Sequence, residues 1–165
     1  MSETAAPVKL FATLFLFWLL LSGSLAIDSV AVGVLVAGLV AVLLGGNLSY
    51  LSGYRLTLAS FAATLAFVGY FLMELVKSNL AMATLVLTPD LPVKPAIVRV
   101  RTRLKNPIAR LLLANSITLT PGTLSVEMKG EWLYIHWVVA EATEVDAATR
   151  AIAAGFDRYL EVMYG

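Results

Sequence analysis

The chain has 165 residues, 59% of them hydrophobic, with a formal net charge of +1 and no cysteine. That length holds one small domain beside a membrane anchor, and the composition is too apolar for an ordinary globular protein. Without cysteine there are no disulfides, no thiolate metal sites and no cysteine nucleophile.

Charge is unevenly spread along the chain. Ahead of Arg55 stand only Glu3, Lys9 and Asp28. Lys77, Lys94, Arg99, Arg101, Arg103, Lys105 and Arg110 then face a single acid, Asp90. Beyond Leu111 the acids Glu127, Glu131, Glu141, Glu144, Asp146, Asp157 and Glu161 outnumber Lys129, Arg150 and Arg158.

Three charge-free runs come first: Leu10–Ile27, Ser29–Tyr54 with its apolar part ending near Leu44, and Leu56–Met73. Each has about the 18–20 residues that a helix needs to cross hydrocarbon, and in lipid a helix satisfies its own backbone. The expected N-terminal half is therefore membrane α-helical, with about three transmembrane helices. Asp28 marks one turn and Gly45-Gly46-Asn47 another. Lys9, Leu10–Leu21 and Ser24-Leu25-Ala26 also fit the three-part signal-peptide pattern; the stretch is read here as an uncleaved anchor.

The basic block after the third run puts that side in the cytoplasm by the positive-inside rule. Three crossings then leave the N-terminus outside, Asp28 inside and Arg55 outside, with Lys9 and Arg55 against the rule. The first two runs are at the short end, and if one of these short runs lies in the interface, the N-terminus returns inside. Gly33, Ala37, Ala41 and Gly45 repeat at four-residue spacing, a face on which helices approach closely. It serves either packing within the chain or docking onto other subunits. No ionisable residue sits inside a run, which argues against this chain carrying ions itself. Glu74 and Lys77, three residues apart, suit a mutual pair at the membrane edge.

Apolar residues continue to Leu87, so the third helix extends or bends along the membrane surface until Thr88-Pro89-Asp90-Leu91-Pro92. The expected division is a membrane anchor with its surface extension over 1–87 and a cytoplasmic α+β domain over 88–165. In that domain Val98, Val100, Thr102 and Leu104 alternate with Arg99, Arg101 and Arg103, a half-buried strand with a basic face. That face shows no interleaved aromatics, so acidic neighbours or anionic lipid suit it, and nucleic acid does not. Asn106-Pro107 opens a helix. Thr120-Pro121-Gly122-Thr123 is a turn with Gly122 at positive φ. Thr123–Met128 and Trp132–Val139 form a hairpin around Lys129-Gly130-Glu131. Thr143 with Asp146 resembles a capping box before a last helix running to about Tyr164. The order is β-α-β-β-α.

No catalytic set emerges. His136 is the one histidine, without partners for zinc or a triad, and suits a structural or interface role. Ser116, Thr118, Thr120 and Thr123 lack a Gly-rich phosphate loop and suit backbone caps. No catalytic residue, cofactor or metal site is assigned.

Asn115-Ser116-Ile117-Thr118-Leu119-Thr120-Pro121-Gly122-Thr123, with Leu133-Tyr134-Ile135-His136-Trp137, resembles the E subunit of the Mrp (also called Mnh) multisubunit cation/proton antiporters. The layout, an apolar half followed by a small domain ending in a helix, is similar across the chain. The resemblance implies an accessory, non-catalytic subunit of a plasma-membrane Na⁺/H⁺ antiporter. It implies the small F and G subunits and the large ion-translocating A and D subunits as partners. Asn115, Ser116, Thr118, Pro121, Gly122, Thr123, His136 and Trp137 would be its structural or interface residues. The alternatives are a homologous subunit of a membrane-bound hydrogenase-type respiratory complex, or a free-standing membrane-anchored lipid-binding module.

Overall fold

The computed structural model of the chain describes residues 5–44, 53–90 and 92–165. It divides into two compact units, Met1–Ser52 and Gly53–Gly165.

In the first unit, helix α1 (Ala5–Ser22) and helix α2 (Ile27–Leu44) pack on each other. Gly23 ends α1 in the left-handed region, φ 58°, a conformation that costs glycine little. The Trp18 indole N–H donates to the Ser29 carbonyl at 3.0 Å, beyond that turn. Gly33, Ala37 and Ala41 are the buried residues of α2. A Cβ on Gly33 would collide with the Trp18 ring, so the small side chain leaves room for the large one. Three members of the small-residue face are thus occupied by the chain's own α1; Gly45 lies outside the described residues.

The second unit begins with helix α3 (Leu58–Leu87), capped by the Thr57 hydroxyl, which accepts from Ser60 N at 3.1 Å. Among the described residues two helices, α2 and α3, are long and apolar enough to cross a membrane; α1 is a shorter apolar helix from Pro7 onward. α3 is one unbroken helix as far as Leu87, so of the two alternatives after Met73, extension or a bend, the helix extends. Neither Pro nor a Gly-Ser pair lies between Met73 and Leu87 to cause a bend.

Strand β1 (Ala96–Arg101), helix α4 (Pro107–Leu119), strands β2 (Thr123–Lys129) and β3 (Trp132–Trp137), helix α5 (Val145–Ala148) and helix α6 (Ala154–Tyr164) follow. The sheet is antiparallel with order β1-β3-β2. Asn106 caps α4 by accepting from Ile108 N at 2.8 Å and Ala109 N at 3.2 Å, with Pro107 at the first helical position. The hairpin turns at Gly130, φ 58°. The capping box does not form: α5 starts at Val145 after Glu144, with no side-chain bond to its cap. Thr149–Ala153 is a π-helical segment joining α5 to α6, where the Thr149 hydroxyl accepts from Arg101 N at 3.0 Å and so ties the last helix to β1.

Alternation on the strands builds the core. Val98, Val100, Leu133 and Ile135 point inward and meet Leu113 and Ile117 of α4 and Phe156, Leu160 and Met163 of α6. Every second residue of a strand faces the same way, so the opposite set faces out. There Arg99 lies 4.4 Å and Arg101 5.8 Å from the Trp132 ring centroid. The basic face therefore does carry an aromatic platform, supplied by the neighbouring strand, which one strand's own alternation does not reveal.

Asp157 on α6 accepts from the Thr102 hydroxyl at 3.0 Å. Burial pushes its carboxyl up to about 6, and Glu161 adds to this, against the Thr102 and Arg103 hydrogen bonds. A folded-state value above the unfolded one means that the fold gains protons between about pH 4 and 6, and loses stability as pH rises through that window. After allowance for solvent screening the loss is about 1–2 kcal/mol. Asp157→Asn is expected to flatten this dependence while its amide oxygen keeps the Thr102 bond. Urea midpoints of the detergent-purified chain at pH 5 and 7.5, followed by tryptophan fluorescence, measure it.

Candidate functional site

α3 packs on the small domain over its first half. Its less exposed positions recur as Ser60, Ala63, Thr64, Phe67, Tyr70, Phe71, Glu74, Leu75, Ser78, Met82 and Leu85, the helical period on one face. α6 is its principal neighbour. Phe156 meets Phe67 and Tyr70 edge to face, with centroids 6.1 and 5.1 Å apart. Tyr54 meets Tyr164 in the same way at 5.5 Å. The Ser60 hydroxyl donates to the Val162 carbonyl at 3.2 Å, and Arg55 N to that of Met163 at 2.9 Å. The two helices therefore run antiparallel, residues 54–70 beside 164–156. Gly155 sits where a Cβ would strike the Tyr70 hydroxyl.

Toward the C-terminal end of α3 this packing opens into a cavity of about 540 Å³. One wall is α3, with Glu74, Lys77, Met82 and Leu85; the facing wall is the Thr120–Thr123 turn with Trp137 and Ile152. Gly122 has φ 96°, the positive value expected of this turn. Thr123 N donates to the Thr120 carbonyl at 3.2 Å, and the Thr123 hydroxyl donates to the Ile117 carbonyl at 2.6 Å. The Thr120 hydroxyl donates to the Ser116 carbonyl at 2.8 Å. These hydroxyls close the C-terminal end of α4, whose last carbonyls lack helical partners. The Gly122 carbonyl in turn accepts from Val138 N at 2.9 Å, fixing the turn to the end of β3.

The other motif residues divide. Pro121 and Trp137 line the cavity. Ser116 is buried and donates to the Leu112 carbonyl at 2.8 Å. The Thr118 hydroxyl accepts from Ser125 N at 3.1 Å, seating α4 on β2. Asn115 is exposed on α4. His136 is half-exposed on the outer sheet face, between Ile97 and Leu124 in the strand register, away from the cavity that its neighbour Trp137 lines. Glu74 and Lys77 pair at 3.0 Å. Met82, Leu85 and Ile152 complete the cavity walls, although nothing in the sequence marks them beyond helical spacing.

Among the described residues no group of three His, Cys, Asp or Glu stands close enough to hold a metal ion. The cavity wall offers the Glu74–Lys77 ion pair, the Glu141 carboxylate, hydroxyls that cap backbone carbonyls and apolar side chains. Residues 11–163 match the model of a family described as Na⁺/H⁺ ion antiporter subunit.

The chain belongs to the family of Na⁺/H⁺ antiporter E subunits.

The match runs through both units. The Na⁺/H⁺ antiporter E subunit of Alkalihalophilus pseudofirmus is 33% identical over 96 residues, covering 58% of this chain and 61% of that relative's length. The E1 subunit of Staphylococcus saprophyticus is 33% identical over 125 residues, 74% of this chain and 76% of that one. A chain of the membrane-bound sulfane sulfur reductase, an archaeal respiratory membrane complex, superposes with a TM-score of 0.84 at 32% identity, covering 95% of this chain and 98% of that one. This E subunit is thus a membrane transporter component with apolar helices and a small sheet domain, a type that also occurs in a respiratory complex.

Because α1 covers Ala37, substitution there should be felt inside the chain first. Ala37→Leu is expected to cost about 1–3 kcal/mol by forcing α1 off α2. Recovery of folded chain in mild detergent, compared with Ala37→Gly, measures it.

Proposed function

We propose that this E subunit is an accessory, non-enzymatic member of a multisubunit Na⁺/H⁺ antiporter in the plasma membrane. It supports assembly, with its sheet domain on the cytoplasmic side, beside the small F and G subunits and the large ion-translocating A and D subunits. The observation that carries this reading is the family match over residues 11–163, combined with helices poor in ion-handling groups. Within α1 and α2 the only ionisable side chains are Lys9 and Asp28, both near helix ends. Ion and proton paths through membranes are built on intramembrane ionisable residues or unwound polar backbone.

A second reading has its own observation. The likeness to a sulfane sulfur reductase chain covers nearly all of both chains, which supports a place in a respiratory membrane complex. Purification through a tag after Gly165 separates the two. The antiporter reading expects the large antiporter subunits in fixed ratio with this chain. Co-purifying redox subunits would favour the second reading, and a chain recovered alone would contradict both.

A further inference from the structure

We propose that α3 does not cross the membrane but lies in the plane of its cytoplasmic surface, with the α+β domain on its upper side and its outward side seated in the lipid boundary. α3 has two unlike sides. One packs on the domain from Ser60 to Phe71 and faces it across the cavity from Glu74 to Leu85. The other exposes Leu58, Phe61, Leu65, Val68, Leu72, Val76 and Leu80, a continuous apolar stripe at helical spacing. Apolar stripes of this kind need a cover, and here two features of the chain name it as lipid.

The first feature is what lies beside α3. α6 runs antiparallel to residues 54–70, and it carries Asp157, Arg158 and Glu161. The Arg158 guanidinium lies 5.2 Å from the Tyr70 ring centroid. Sinking Leu56–Met73 across the bilayer would take these charges with it, as well as the Arg55 backbone held by Met163. Charged side chains facing hydrocarbon are strongly disfavoured. In addition, Glu74 and Lys77 fall near the middle of the unbroken Leu58–Leu87 helix, where a spanning segment of that length would bury them.

Charge asymmetry is the second feature. With three crossings, Lys9 and Arg55 fall on the outer side, against the positive-inside rule. With α1 and α2, each a helix of 18 residues, as the two crossings and α3 in the surface, all 12 Lys and Arg of the chain lie on the cytoplasmic side. The outer connection, Gly23–Ala26, has no charge. Surface helices of this kind sit with their apolar side roughly 5–10 Å into the headgroup and acyl boundary. The proposal does not depend on which complex hosts the chain.

The chain has no cysteine, so the unsubstituted complex supplies the background for single-cysteine spin labelling. Nitroxides at Phe61, Leu65, Leu72 and Leu80 would be read in the assembled complex in lipid vesicles, by their relative collision with oxygen and with a water-soluble nickel chelate. The expected result is high oxygen access at one shared shallow depth for all four. A depth that peaks between Leu65 and Leu72 and falls toward both ends would mean a crossing and overturn the proposal. Low access to both reagents would mean a protein partner over the stripe, and high nickel access would mean water; either also overturns it. Arg55→Cys gives a second arm. A membrane-impermeant maleimide should label it in everted vesicles and not in right-side-out ones, and the reverse pattern would place Arg55 outside and refute the topology.

Discussion

Phe156→Ala is expected to lower the stability of the Gly53–Gly165 unit by about 3–5 kcal/mol, the usual scale for emptying a buried phenylalanine site. Phe156 is 4% exposed within the core. Its ring touches both helices that matter here: it belongs to α6 and sits edge to face against Phe67 and Tyr70 of α3. Aromatic pairs of this geometry add about 0.5–1.5 kcal/mol beyond the area they bury. The variant should therefore loosen α3 from the domain as well as weaken the core. Small domains keep only about 5–15 kcal/mol in reserve, so much of the chain should be lost before assembly. Phe156→Leu, which keeps most of the volume, should recover a good part. Urea unfolding of the purified chain measures the loss, and a drop below about 1 kcal/mol would mean that α3 is held by something other than this contact.

Gly122→Val is expected to cost about 1–3 kcal/mol, for two separable reasons. At φ 96° a β-branched side chain is strained. Its Cβ would also meet the Met82 sulfur at 3.3 Å, pressing α3 away from the motif turn. Gly122→Ala with Met82→Ala should relieve the second cost and leave the first. If the double variant is no more stable than Gly122→Ala alone, the contact across the cavity contributes nothing. His136→Gln, on the outer sheet face, is expected to stay close to wild type in the same unfolding assay.

The small domain was legible because its signals are local. Asn106-Pro107 states its own helix start, Gly130 its own hairpin, and the alternation of Val98 and Val100 with the arginines its own strand; each appears in the fold. The motif turn was legible for the same reason, since Pro121 and Gly122 dictate backbone angles without help from distant residues. The placement of α3 was not legible. The Leu56–Met73 run satisfies the hydropathy of a crossing helix, and only long-range contacts such as Ser60 to Val162, 102 positions apart, reveal a covered side. Composition cannot distinguish a helix that meets lipid all round from one that meets lipid on one side and a domain on the other. The cavity was half legible: Thr120, Pro121, Gly122, Thr123 and Trp137 stood out in the sequence, while Met82 and Leu85 on the opposite wall did not. The Thr143–Asp146 capping box was a false local signal, displaced because the helix starts at Val145 and reaches β1 through Thr149.

The central claim is that this antiporter component contributes assembly rather than ion chemistry. It is tested most directly by Na⁺-driven proton movement in everted vesicles, divided by the amount of intact complex, for wild type and Gly122→Val. The account predicts that total activity falls in step with recovered complex, so that activity per complex stays constant. A Gly122→Val complex that assembles fully and transports nothing would contradict it, and would make the domain a working part of the transport cycle.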